Sequence, residues 1–270
     1  MNTPPILTDR AALTRNRKRA DAMFLHEAVA DELHERLIEV NRAFTAPAVV
    51  TGFPDFWGPQ FNGATVVGDD ERLALGQQAH DLVVHAMSLH WANDPVGQIV
   101  QSRLTLKPDG LFVAALFGGQ TLQELRTALA EAEAKVTGGL SPRIAPMAEI
   151  RDLGALLQRS GLALPVADAM TLNVTYKDAW ALMRDLRAMG EGNALNDRLR
   201  KPTRKTVMEE AAHIYASHFA DADGRIRATF EVIFLTGWAP DDSQQKPLRP
   251  GSASVRLADA LGAKETKLGD

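Results

Sequence analysis

Hydrophobic positions along this chain follow two rhythms that take turns. Short apolar runs, Ala48-Val49-Val50, Ala64-Thr65-Val66-Val67, Leu82-Val83-Val84 and Leu111-Phe112-Val113-Ala114-Ala115-Leu116, are separated by stretches whose apolar residues recur every three or four positions. Runs that are apolar throughout read as strands buried on both faces, and the spaced stretches read as amphipathic helices. Asp81 to Gly119 shows the unit most plainly. Leu82-Val83-Val84 is a strand. Asn93-Asp94-Pro95 then offers an N-cap with proline at the first helical position, opening a helix to about Leu104. Lys107-Pro108-Asp109-Gly110 is a turn by composition, and Leu111 to Leu116 is the next strand. Strand, helix, strand with both strands wholly apolar is a parallel βαβ unit, so the fold class is α/β.

The rest of the chain extends this pattern. Leu25, Val29, Leu33 and Leu37 stand at i+4 steps in a helix from Phe24 to Val40. Thr121-Leu122-Gln123-Glu124 reads as a capping box opening a helix through Leu125, Leu129, Ala132 and Val136, closed at Gly138-Gly139. A further helix turns Leu153, Leu156 and Leu157 inward, and Leu162 to Tyr176 alternates as a strand. Ala179 to Met189 is helical. Glu191 to Lys205, polar and carrying Pro202, reads as a mobile surface loop or lid. Met208, Ala212, Tyr215 and Phe219 mark one more helix, and Ala228 to Leu235 is the last strand. The predicted organisation is a helical segment over 1–45, an α/β domain over 46–239 and an extension over 240–270.

Composition narrows the class. At 270 residues, 45% hydrophobic and 24% charged, the chain is ordinary globular material compatible with one large domain. No run of about 18 apolar residues appears, so no membrane span is expected. The first residues lack the apolar stretch of a secretory signal. Zero cysteines exclude disulfides, thiolate metal sites and cysteine nucleophiles, and fit a cytoplasmic location. A net charge of −4 gives no reason to expect nucleic acid. Arg15, Arg17, Lys18 and Arg19, with Arg10 before them, form one basic cluster, and Arg198, Arg200, Lys201, Arg204 and Lys205 form another. Docking to an acidic partner is one reading. For the first cluster a solvated helix face is preferred; for the second a solvated loop is at least as good.

Candidate chemistry is sparse. His26-Glu27 and His34-Glu35 start a zinc-binding His-Glu-x-x-His pattern, but positions 30 and 38 are Ala and Ile, so the second ligand is missing both times. His80, His85 and His90 are five residues apart, which suits neither a strand face nor a helical ligand pair, and no metal is expected. His85 and His90 lie toward the carboxyl end of a strand, where open α/β sheets place ligands. Either could serve as acid or base, and Ser88, His90 and Trp91 could line a pocket. Packing that holds the loop before the next helix is the preferred role for His90-Trp91. Gly118-Gly119 before a helix could bind an anion, but Thr121 already serves an N-terminal donor and Glu124 repels negative charge.

His90-Trp91-x-Asn93-Asp94 followed by Leu-Lys-Pro-Asp-Gly-Leu-Phe resembles the second half of a class I S-adenosylmethionine-dependent methyltransferase. Ser141-Pro142-Arg143, Met183-Arg184-Asp185-Leu186-Arg187, Phe234-Leu235-Thr236-Gly237-Trp238-Ala239-Pro240 and Ser243-Gln244-Gln245-Lys246-Pro247 are similar more specifically to the complex I assembly-factor family. That family has a protein-arginine hydroxylase as its mitochondrial member and biotin-pathway carrier-protein O-methyltransferases as relatives. The resemblance implies a Rossmann-like sheet, mostly parallel with an antiparallel C-terminal strand, behind an N-terminal helical extension. It also implies S-adenosylmethionine as cofactor and a protein partner or substrate, a complex I subunit, contacted through Arg143, Gln244, Gln245 and Lys246.

The residues after the first strand argue against that cofactor. A methyltransferase needs a glycine-rich turn there and an acidic side chain further on to hold the ribose hydroxyls. Here Thr51-Gly52 is followed by Phe53-Pro54-Asp55-Phe56-Trp57-Gly58-Pro59, so one glycine survives and bulky rings stand where methionine or adenine would lie. Only about ten residues, Pro54 to Gly63, remain for the crossover, which is the lower limit. If Ala64 to Val67 is the second strand, Asp69 or Asp70 is the ribose acid. If it is the third, a helix–strand–helix segment is absent, and this second alignment is favoured. The preferred function is thus a methyltransferase-fold protein with a degenerate cofactor site, acting through protein partners. Active methyltransferase and arginine hydroxylase are the alternatives.

Overall fold

Residues 6–245 are described by the structure, a computed structural model. Six strands are hydrogen-bonded in the order β2-β1-β3-β4-β6-β5. β1 (Pro47–Thr51) lies between β2 (Thr65–Val67) and β3 (His80–Ala86), both parallel to it, and β4 (Leu106–Phe117) continues the parallel set. β6 (Ile226–Trp238) runs antiparallel to β4 and to the edge strand β5 (Ala163–Tyr176). The mostly parallel sheet with an antiparallel C-terminal strand is as the resemblance implied.

The wholly apolar strands are apolar because both faces are covered. Val49, Val84 and Val113 face a core shared with α2 (Phe24–Glu39), α5 (Gln123–Thr137), α7 (Ala179–Ala188) and α8 (Lys205–Phe219). Their neighbours Val50, Val83 and Phe112 face the opposite core, against α4 (Pro95–Thr105) and α6 (Ile150–Arg159). Alternation with period two sends each strand's side chains to both layers. The described residues up to Pro240 form one compact unit, and a second begins at Asp241.

Several local expectations are corrected. The Lys107–Gly110 turn is absorbed into β4: pairing jumps from His80↔Leu106 to Leu82↔Leu111, and Asp109 takes φ +58 within this bulge. Thr121 and Glu124 do not cap α5. Leu122 precedes the helix in left-handed conformation without a side-chain cap. Thr121 Oγ1 donates to the Glu231 carbonyl, and the Glu124 carboxylate accepts from the Thr229 hydroxyl and N–H. Both side chains bind β6, a tertiary use that overrides the local motif. In α8 the buried stripe is Val207, Ala211, Ile214 and Tyr215, one position before the predicted phase at Met208 and Ala212.

Glu191 to Lys205 is no free lid. Thr8 pairs with Leu195 in a β-bridge, the Asp9 N–H donates to the Ala194 carbonyl, and Arg198 and Arg200 both bind the Asp9 carboxylate. The first crossover is as brief as predicted: α3 (Pro54–Trp57) is a single turn. β2 sits directly beside β1, in the second strand's place, which corrects the favoured third-strand alignment. Among the described residues the sheet ends there.

Candidate functional site

Three carboxyl ends meet at one place: Thr51-Gly52 after β1, Gly68-Asp69-Asp70 after β2, and Met87-Ser88 after β3. Met87 holds φ +46, an uncommon conformation for a side-chain-bearing residue, and turns β3 into a single 3-10 turn, Leu89–Trp91. A cleft of about 850 Å³ lies here, bounded by Gly52, Phe53, Phe56, Asp69 and Asp70 on the sheet side and by Arg10, Thr14 and Arg17 on the other. Those last three belong to α1 (Arg10–Arg17), capped by Asp9, whose carboxylate accepts from the Ala12 N–H.

Asp69 is the residue the geometry singles out. It follows the strand beside β1, where the ribose acid of a dinucleotide-type fold belongs, and it is 3% exposed. Yet its carboxylate is already taken. Arg10 donates through both Nη1 and Nη2, at 3.1 and 3.0 Å, and Arg17 Nη1 donates at 2.8 Å. Burial opposes the charge on Asp69, but the two guanidinium groups outweigh it and hold the carboxyl well below the usual carboxylate range. Asp70 is exposed, with Arg10 Nη2 at 3.7 Å.

Arg17 also fills the turn after β1. A Cβ placed on Gly52 would fall inside its guanidinium. The one surviving glycine of the fingerprint therefore admits a side chain of the protein itself. Its side chain is 8% exposed, and Nε and Nη2 have no hydrogen-bond partner among the protein groups. The aromatic wall expected here is only partly present. Phe53 and Phe56 border the cleft, whereas Trp57 points into the core, fully buried, with its Nε1–H donating to His26 Nδ1 at 3.0 Å. Thr51 is buried with Oγ1 accepting from the Phe53 N–H.

The two candidate histidines differ. His85 is completely enclosed: Nε2 meets Gln98 Oε1 at 2.7 Å and Nδ1 meets the Ser88 hydroxyl at 3.3 Å. Gln98 in turn donates to the Asp69 and Asp70 carbonyls, so this chain of bonds props up the β2 end. Burial pushes the His85 imidazole down to about 4, so it is neutral at physiological pH. His90 has a side chain only 1% exposed, and neither ring nitrogen has a hydrogen-bond partner. Its Nε2 stands 3.6 Å from Glu191, too far to bond.

Trp91 donates its indole N–H to Glu191 at 2.8 Å. Burial penalises the Glu191 charge, but His90, Arg17 and Trp91 together keep its carboxyl below the ordinary value. Trp91 and Glu191 border a second cavity, about 320 Å³, walled by Phe117, Leu125, Met183 and Phe230. Arg143 reaches its rim, held by two bonds to Glu133 and one to Thr203. Gln244 accepts from the Asp241 N–H, Gln245 is exposed, and Lys246 lies outside the described residues.

Of the first basic cluster, Arg10 and Arg17 are not solvated: they are the partners of Asp69, while Arg15, Lys18 and Arg19 are exposed. Sequence reasoning missed this pair and Glu191. The signal available was spacing, since residues seven apart on a helix share a face and point to a common partner. Among the described residues, no group of three or more His, Asp or Glu gathers as metal ligands would, and no helix is long and apolar enough to cross a membrane.

A parallel sheet whose carboxyl ends open on a cleft, closed by an antiparallel strand, is the Rossmann-like methyltransferase fold. No family model matches the chain. By sequence it is a homologue of the NDUFAF5 arginine-hydroxylases. It is 41% identical over 194 residues to "Arginine-hydroxylase NDUFAF5, mitochondrial" of Danio rerio, covering 72% of this chain and 60% of that protein. With the Homo sapiens protein of that name it is 39% identical over 195 residues, covering 72% and 56%. A malonyl-[acyl-carrier protein] O-methyltransferase of Nitrosospira multiformis is 35% identical over 175 residues, covering 65% and 54%. The chain thus spans 60% or less of the length of these relatives. A putative methyltransferase from Bacillus halodurans aligns with a TM-score of 0.48 at 13% identity, covering 77% of this chain and 98% of that one.

Proposed function

We propose that this protein keeps the methyltransferase fold as a scaffold and acts through protein partners, in the assembly of respiratory complex I with one of its subunits as partner, without taking up S-adenosylmethionine. One observation carries the reading: the Arg17 guanidinium lies on Gly52 while Arg10 and Arg17 neutralise Asp69, so both contacts an adenosyl ligand needs are made internally. The cofactor is itself positively charged at sulfur, and a buried arginine in its place repels it.

Titration with S-adenosylmethionine and S-adenosylhomocysteine tests this. A ligand at about 100 times its dissociation constant stabilises a fold by about 2.7 kcal/mol. No shift in melting temperature is expected here, and a clear upward shift overturns the reading. Capture of a complex I subunit by the full chain supports the partner role. Loss of that capture on removing residues 240–255 would place the contact there.

A second reading, an enzyme that methylates or hydroxylates like its named relatives, draws on the position of Asp69 at the end of the strand beside β1 and on the cleft around it. The same titration decides between the two.

A further inference from the structure

We propose that the groove between residues 139–143 and residues 199–207 docks a protein partner through an acidic amphipathic segment, whose apolar side chains meet Leu140 and Leu199 and whose carboxylates meet Lys201 and Arg204. The proposal deepens the reading that this chain acts through protein partners, and rests on it.

The groove holds about 370 Å³ and shares no lining residue with the cleft at Gly52 and Asp69. Leu140 is 70% exposed and Leu199 49%, and both line it. A single exposed leucine needs no explanation, whereas apolar side chains gathered in a hollow with a polar rim mark a contact surface. Neither wall is loose. Arg143 donates to Glu133 on α5 and to Thr203 on the facing wall, and the Asn193 side-chain amide donates to the Pro142 carbonyl. Arg198 and Arg200 tie the approach to Leu199 down onto Asp9. Both leucines thus stand out from a backbone that is already fixed, and docking against them costs little ordering.

The rim carries positive charge that nothing in the fold answers. Of the basic residues in 198–205, Arg198 and Arg200 are committed to Asp9, and Lys205 pairs with Glu209. Lys201 and Arg204 line the groove, are exposed, and have no carboxylate partner among the described residues. Glu133, the acid that lines the groove, is covered by Arg143. α8 also begins at this edge without a side-chain cap, so its positive end adds to the same field. Complementary potential selects an acidic partner and turns away a basic one. A lipid surface fits less well. It is met by apolar side chains protruding from a flat or convex face, and here both leucines border a hollow.

The test is fluorescence polarisation of a labelled peptide of about 14 residues against the full chain, with leucines at i, i+3, i+4 and i+7 and glutamates at most other positions. A second peptide carries lysine in place of each glutamate. Wild type is compared with Leu140→Ser/Leu199→Ser and with Lys201→Glu/Arg204→Glu. None of the four side chains is buried, and acid at the start of α8 favours the helix, so both variants keep the fold. The glutamate peptide should bind wild type at least about tenfold more tightly than the lysine peptide, and each variant should lose at least about tenfold of that affinity. Equal binding of the two peptides overturns the proposal, as does unchanged binding in either variant. Binding to phosphatidylserine vesicles but not to the glutamate peptide overturns it in favour of a membrane. Self-association abolished in the serine variant, without peptide binding, overturns it in favour of a second copy of this chain. Capture of a complex I subunit equally by wild type and both variants removes this surface and leaves the proposed function standing. Peptide binding as expected with no subunit captured removes the proposed function and leaves the surface.

Discussion

Two buried imidazoles make the stability of this protein sensitive to mild acid. His26 accepts the Trp57 indole N–H and His85 sits between Gln98 and Ser88, and burial pushes both from 6.5 down to about 4. Their folded values lie below the unfolded one, so the unfolded chain binds protons first as pH falls. The stability they contribute is fully present above about pH 6.5 and drains away as pH drops toward 4. At about 1.4 kcal/mol per pH unit of difference, each histidine removes about 2 kcal/mol by pH 5, and the pair about 4. That is a large share of a typical total of about 5–15 kcal/mol.

The window is clean. Asp69, Glu133 and Glu191 have depressed values, so what they add is present above their unfolded values near 4 and is lost only below that. Urea unfolding at pH 7.5 and pH 5 therefore isolates the imidazoles. His85→Gln and His26→Gln should each lower stability at pH 7.5 and roughly halve the loss between the two pH values. If both single variants keep the wild-type pH slope, the assignment to buried neutral histidines is wrong.

Trp57→Phe keeps most of a fully buried ring but leaves His26 Nδ1 without its donor; it should cost about 1–3 kcal/mol in urea unfolding. Arg143→Met strips Glu133 of its only cationic partner among the described residues, leaving a 7% exposed carboxylate whose value is now held at about 2. Breaking a buried pair in this way should cost about 3–5 kcal/mol, and Glu133→Gln in the same background should restore part of it in a double-mutant cycle.

Much of the fold was legible because burial on two faces writes itself into the strands. Val49-Val50, Val83-Val84 and Phe112-Val113 are apolar in succession since alternate residues serve different cores. Where polar side chains act at a distance, the local pattern misled. Thr121 and Glu124 have the spacing of a cap and instead bind β6 residues more than a hundred positions away. Glu191 to Lys205 has the composition of a loose loop, but its carbonyls and arginines are committed to Thr8 and Asp9. The site was half legible: Gly52, Asp69 and the short crossover mark an altered cleft, while its occupant comes from a helix about fifty residues earlier.

On the proposed reading that S-adenosylmethionine is not taken up, this occupant decides how the cleft is closed. Had the aromatic residues after Gly52 filled the cleft, as sequence suggested, loss of the cofactor would be written into the core and could not be reversed without rebuilding it. Instead Trp57 serves the core, and the space over Gly52 is held by the buried Arg17 side chain of α1, a helix that also packs Ala12 and Leu13 against Trp91, Ala194 and Leu195. The acid at the end of β2 is kept charged, oriented by Gln98 through its backbone, and merely answered by arginines. On the reading proposed for this site, a ligand would have to displace the Arg17 guanidinium from Gly52 and both arginines from Asp69 before it could use either group.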